Sequence, residues 1–173
     1  MEGSAESSID KLIWKYSPQI HSYLLYLGQQ QLARLSFTGK RNVNAPEAYC
    51  EYEQKRIHFA QKNSLSFKVM VTNADTGEQV AMLMPSQFLS KSMIKFPIGS
   101  KYKATKKGTL HIKLEISDDM DRRLCELHPV KLGVFEYCFN ALDVRSMDPD
   151  LTLLSILSLY LYECIGSNAP GQV

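Results

Sequence analysis

Hydrophobic residues recur along this chain with two different spacings, and the spacing predicts the type of each element. Apolar residues three and four positions apart begin at Ile9, and they predict helices on both sides of Pro18, up to Leu35. In residues 65–84 apolar and polar residues alternate on both sides of the turn sequence NADTG, which predicts a β-hairpin. Residues 108–117 alternate in the same way and predict a further strand.

The remaining central segments predict shorter elements. Aromatic, β-branched and charged residues in residues 48–59 predict an edge strand or a mixed segment. Residues 86–94 and 118–128 predict short helices, the second one capped by Ser117 or Asp118. Residues 132–139 predict a last strand.

The last apolar segment predicts the helix with the clearest bounds. Asp148 suits the N-cap, Pro149 the first helical position, and Gly166 the C-terminal end. The run LTLLSILSLYLYECI is apolar on almost all sides, which predicts burial in the core or in a contact between subunits. It is shorter than the roughly 17–25 residues that a helix needs to cross a bilayer.

Together these elements predict an α+β fold, in which N-terminal and C-terminal helices flank an antiparallel sheet. The 173 residues suffice for one domain with a sizeable core. We expect that domain to span residues 8–166, after a disordered N-terminus (1–7) and before a flexible tail (167–173).

Charge is distributed unevenly along the chain, although the net charge is only +2. No acidic residue lies between Glu78 and Glu115, whereas seven lysines do. That stretch therefore carries +7 and the remainder 2 − 7 = −5. The seven are Lys91, Lys95, Lys101, Lys103, Lys106, Lys107 and Lys113.

The lysines in residues 91–107 alternate with apolar residues, a combination that predicts contact with anionic membrane. Apolar side chains enter the acyl boundary while ammonium groups stay among the headgroups, at roughly 1 kcal/mol per lysine. Non-specific contact with RNA phosphates is an alternative, and so is an ordinary core covered by lysines. The predicted phosphate-binding residues are Lys91, Lys95, Lys101, Lys103, Lys106 and Lys107, and the predicted inserting residues are Met93, Ile94, Phe96 and Ile98.

Motifs of enzymatic chemistry are missing from the sequence. It contains no HExxH, GxSxG, GxGxxG or phosphate-binding P-loop. The four cysteines are far apart, which predicts free, mostly buried thiols in a reducing compartment and no zinc site. The aspartates of residues 117–121 lack the glycine and further ligands of a calcium loop. We expect no catalytic residue, no metal and no cofactor.

The segment FPIGSKYKATKKGTLHIKLEISDDMD, residues 96–121, resembles a stretch of rhabdovirus matrix proteins. In both, an apolar segment ending in Ile-Gly leads through basic residues into Lys-Gly-Thr, an alternating strand and an Asp-Asp end. The acidic N-terminus lacks the basic arm and late motif of the animal viruses, so the resemblance is to the short matrix proteins of plant-infecting rhabdoviruses.

This resemblance implies a non-enzymatic structural protein of virion assembly and budding. Its implied partners are anionic membrane lipid, the viral nucleocapsid and further copies of itself. Its implied location is the host cytoplasm at membranes, and the virion. An exposed outer face of the last helix, at Tyr160 or Tyr162, is predicted to mediate the self-association.

Two other classes remain open. One is an RNA-binding viral accessory protein, such as a silencing suppressor or a movement protein. The other is a host lipid-associated domain of the tubby or scramblase kind, because residues 142–163 are similar to the buried C-terminal helix of that group. This last class requires the final helix to run through the middle of a barrel.

Overall fold

The computed structural model describes residues 11–38, 45–63, 66–85, 91–131, 133–142 and 150–165. In this part of the chain, twelve antiparallel strands close into a barrel, and one helix lies inside it. Each strand pairs with its neighbours in sequence, and the last strand closes the barrel against the first. The elements are β1 (Leu12–Ser17), β2 (Ser22–Leu27), β3 (Gln30–Phe37), β4 (Ala48–Tyr52), β5 (Lys55–Asn63), β6 (Ser66–Asn73), β7 (Gln79–Met84), β8 (Lys91–Lys95), β9 (Lys101–Lys107), β10 (Lys113–Ser117), β11 (Arg123–Pro129), β12 (Glu136–Ala141) and α1 (Leu151–Ile165).

The predicted α+β fold is wrong, chiefly because the N-terminal segment forms strands and no helix. Trp14, Leu25 and Leu35 all point into the barrel and are fully buried, one from each of β1, β2 and β3. Two turns reverse the chain between these strands, at His21 and Gly28, which both have a positive φ. Such turns end any helix, so the inward-facing apolar residues of this segment recur at every second position along short strands.

Of the other predicted elements, the strands are confirmed and the two short helices are wrong. The hairpin at 65–84 is confirmed as β6 and β7, although Leu65 lies outside the described residues. The strands predicted at 108–117 and 132–139 are present, shortened or shifted, as β10 and β12. The helices predicted at 118–128 and 86–94 are wrong where they are described, because β11 and β8 occupy those positions.

The final helix is confirmed as α1, and the barrel surrounds it. Every residue from Leu154 to Leu161 is buried. Asp150 caps the helix, because its Oδ1 accepts hydrogen bonds from the backbone N–H groups of Thr152 (2.7 Å) and Leu153 (3.4 Å). The predicted cap Asp148, together with Pro149 and Gly166, lies outside the described residues.

The dimensions of helix and barrel match. A barrel of eight strands is just filled by its own side chains, so twelve strands leave room for more. The 15 residues of α1 span about 22 Å, close to the length of a strand of six or seven residues. Small polar residues are accommodated by hydrogen bonds: Trp14 Nε1 donates to Ser155 Oγ (2.9 Å), and Ser158 Oγ donates to the carbonyl of Leu154 (2.7 Å).

Hydrogen bonds at both ends of α1 define two ends of the barrel. Where α1 begins, Tyr52 OH donates to Asp150 Oδ2 (3.2 Å), and we call this the near end. Where it ends, Tyr160 OH donates to the carbonyl of Pro46 (2.7 Å) and Tyr162 OH to that of Ile112 (3.1 Å). We call this the far end. Because adjacent strands are antiparallel, the β8–β9 and β10–β11 turns lie at the near end, and the β1–β2, β9–β10 and β11–β12 turns at the far end.

A single carboxylate lies among tyrosines where α1 ends. Glu163 Oε1 accepts hydrogen bonds from Tyr23 OH (2.9 Å) and Tyr137 OH (3.5 Å). Burial raises the pKa of Glu163 above its ordinary value, although both tyrosines favour the charged form and act in the opposite direction. The charge of this carboxylate therefore opposes folding.

We expect Glu163→Gln to raise the free energy of unfolding at neutral pH. The raised pKa means that the folded state holds the proton more tightly, so stability is lost as pH rises through the folded pKa. Glutamine keeps an acceptor for Tyr23 but has no charge to bury. Urea unfolding at about pH 7.5 and about pH 3.5 should show the gain only at the higher pH. A variant less stable than the wild type at pH 7.5 would contradict this account.

Candidate anion-binding site

Six lysines project from one side of the barrel, on the outer surface of β8, β9 and β10. The alternate residues of these strands point inward: Ser92, Ile94 and Ala104 are fully buried, and Tyr102 nearly so. Because successive side chains of a strand point to opposite faces, the residues between them point outward. We define the lysine face as Lys91, Lys95, Lys101, Lys103, Lys107 and Lys113.

Two pairs of these lysines lie directly opposite each other on adjacent strands. Lys95 is paired in register with Lys101, and Lys107 with Lys113. Like charges at directly opposite positions destabilise a sheet. Folding alone therefore gives no reason for this arrangement, whereas an anionic ligand spanning the strands does.

Acidic residues at the edge of the lysine face neutralise part of its charge. Lys103 Nζ contacts Asp121 Oδ1 at 2.9 Å, and this hydrogen bond and charge lower the pKa of Asp121. Lys113 Nζ contacts Glu126 Oε2 at 3.3 Å. The ion pairs among the described residues do not include the other four lysines of this face, which are Lys91, Lys95, Lys101 and Lys107.

The lysine face differs from the predicted lysine set at two positions. Lys106 shares the inward-pointing side of β9 with Ala104 and lies opposite Leu114, so it is not on this face. Lys113 belongs to the face but was missing from the prediction. The alternation in residues 108–117 already places Lys113 on the outer side and is the signal that identifies it.

The predicted inserting residues are separated by the fold. Ile94 is fully buried inside the barrel, so its predicted insertion is wrong. Phe96 is half-buried and packs edge-on against Tyr102, with ring centroids 5.8 Å apart. Met93 is half-buried on the outer surface opposite Lys103. Ile98 is 81% exposed, at the tip of the β8–β9 turn.

The residues predicted to mediate self-association do not form an exposed surface. Tyr160 is fully buried, and its ring stacks on Phe59 with centroids 4.5 Å apart. Tyr162 is partly buried against the core, and its hydroxyl donates a hydrogen bond to the carbonyl of Ile112. The premise of this prediction, an exposed helix face, is therefore wrong.

One cluster brings a cysteine, a histidine and an asparagine together on the outer surface of β11 and β12. Cys138 Sγ donates to Asn140 Oδ1 (3.3 Å), and Asn140 Nδ2 lies 3.0 Å from His128 Nε2. An activated nucleophile requires a thiolate near its base, but burial raises the pKa of the Cys138 thiol. Asn140 is hydrogen-bonded to both other side chains, so the cluster satisfies the hydrogen-bonding groups of the three residues and does not activate the thiol.

All four cysteines are free and buried, as predicted. Among the residues that the structure describes, no three histidine, cysteine or acidic side chains are grouped so as to hold a metal ion. No helix in this part of the chain is long and apolar enough to span a membrane. Comparisons with family models, curated proteins and solved structures find no match to this chain.

We expect Lys101→Glu to stabilise the protein. The substitution replaces a like-charged pair with an opposite-charged pair at Lys95, and such a cross-strand change is worth about 0.2–1 kcal/mol. Urea unfolding at low ionic strength should show this gain, and about 0.5 M salt should reduce it. Lys101→Gln should give a smaller gain. A loss of stability in Lys101→Glu would show that the two ammonium groups do not repel each other.

Proposed function

We propose that this protein associates peripherally with anionic membrane through its lysine face, as a binding domain without enzymatic activity. The observation that carries the proposal is the pairing of Lys95 with Lys101 and of Lys107 with Lys113 on one outer surface. At roughly 1 kcal/mol for each lysine near an anionic leaflet, four engaged lysines give reversible attachment.

The architecture supports the same class. A lipid-associated domain of the tubby or scramblase kind requires its last helix inside a barrel, and α1 occupies that position. A membrane is also the partner that fits the shape of the site, since the lysine face is a convex outer surface and the lysines project from three adjacent strands. Phosphate groups arranged in a plane can meet several of them together.

The role in virion assembly stays a prediction from the resemblance of residues 96–121. Of the activities in that role, membrane attachment is the one that the lysine face supports. Contact with a nucleocapsid and self-association are further proposals, and Tyr160 does not contribute to the second because it is buried.

We expect Lys101→Glu/Lys107→Glu to abolish most binding to vesicles that contain phosphatidylserine. Losing two lysines at about 1 kcal/mol each weakens binding by at least roughly thirtyfold, and the added negative charges increase the loss. Both substitutions lie on β9 and create opposite-charged cross-strand pairs, so the fold is preserved. Vesicle flotation, with phosphatidylcholine vesicles as the neutral comparison, measures the effect.

The matched control is Lys11→Glu/Lys55→Glu, which changes the net charge by the same four units immediately before β1 and at the start of β5. We expect it to retain most of the affinity. Equal losses in both variants would mean that net charge and not the lysine face determines binding. If the β9 variant instead lost affinity for RNA, with a steep salt dependence and unchanged vesicle binding, RNA would replace membrane as the partner.

A further inference from the structure

The two ends of the barrel differ in charge. Among the described residues of the far-end connections, 18–21, 38, 45–47, 85, 108–112, 130–131 and 133–135, the one carboxylate is that of Glu47, which pairs with His58 at 2.7 Å. The described turns at the near end contain six, of which Asp121 pairs with Lys103 and Asp118 with Arg122. The six are Glu53, Asp75, Glu78, Asp118, Asp119 and Asp121.

The far end also holds most of the exposed apolar side chains in the described part of the chain. Ile98, Met120 and Leu142 are exposed at the near end. Six large apolar side chains are exposed at the far end, and Leu110 is the most exposed at 83%. The six are Ile20, Phe67, Leu110, Val130, Val134 and Phe135.

Five of these six residues, all except Phe67, form a continuous arc, which we call the arc. The β9–β10, β11–β12 and β1–β2 turns follow one another around the barrel, because β9 to β12 and then β1 and β2 are successive neighbours. The arc adjoins the lysine face, since Lys107 and Lys113 flank the β9–β10 turn. It also includes the basic residue Lys131.

The turn that carries Leu110 is held in one conformation. Gly108 has a φ of +84°, and a Cβ at that position would lie 2.5 Å from the carbonyl oxygen of His111. The carbonyl of Ile112 accepts a hydrogen bond from Tyr162 at the end of α1. A turn of fixed conformation therefore holds Leu110 in an exposed position. Packing within the fold does not explain why an apolar residue stands there.

We propose that the far end of the barrel enters the membrane interface, with the arc contacting acyl chains and Lys107, Lys113 and Lys131 contacting anionic headgroups. Charge complementarity selects this partner, because the acidic near end is repelled from an anionic surface. The inference rests on the proposed membrane binding and adds an orientation to it: the barrel lies tilted on its lysine face, with the far end deeper in the interface than the near end.

Tryptophan probes at the two ends test this orientation. The chain has a single tryptophan, Trp14, which is fully buried and supplies a constant background. Leu110→Trp and Ile98→Trp form a matched pair, because the two side chains are almost equally exposed at opposite ends. Each variant is mixed with phosphatidylserine vesicles whose acyl chains are brominated, and flotation of the same samples measures binding.

The proposal predicts quenching of the added tryptophan in Leu110→Trp and none in Ile98→Trp. It further predicts that Leu110→Asp lowers vesicle affinity by roughly tenfold, whereas Ile98→Asp leaves it unchanged. Quenching in Ile98→Trp, or in neither variant while both still float, would overturn the orientation and leave the proposed function intact. Failure of the wild type to float would overturn both.

Discussion

The structure depends on the enclosure of one apolar helix by a closed sheet. α1 is apolar on all sides and cannot be left in water, and twelve strands cannot fill their own interior without it. Inward side chains from several strands meet the helix, such as Trp14 from β1 and Phe59 from β5. Because stability comes from this interior, the outer surface is free to carry charge arrangements that do not favour folding.

The lysine face is such an arrangement. Its opposed lysines raise the energy of the folded state, and a planar anionic partner would reverse their effect. The closed barrel fixes the spacing of β8, β9 and β10, so the lysines are held in place before any ligand arrives. The same rigid barrel holds the arc beside the lysine face. The two surfaces therefore keep a fixed direction relative to the axis of α1.

Local pattern predicted the hairpin β6–β7 and the helix α1, because each is determined by its own turn or capping residues. It did not predict β1 to β3, because it did not reveal the turns at His21 and Gly28 that divide this apolar segment into three strands. Barrel closure could not be predicted either: β1 pairs with β12, more than a hundred residues away. Charge alone located the lysines, but the alternation in residues 108–117 was needed to include Lys113, and strand register was needed to exclude Lys106.

Native-state hydrogen exchange tests the central claim, the mutual dependence of helix and barrel, most directly. If the barrel encloses α1, the backbone amides of residues 156–161 exchange only by global unfolding. Their exchange free energies should then equal those of Val69 and Val71 in β6 and fall with urea at the same slope. Exchange of the helix amides through a smaller opening, while the amides of β6 stay protected, would show that the barrel persists without its helix.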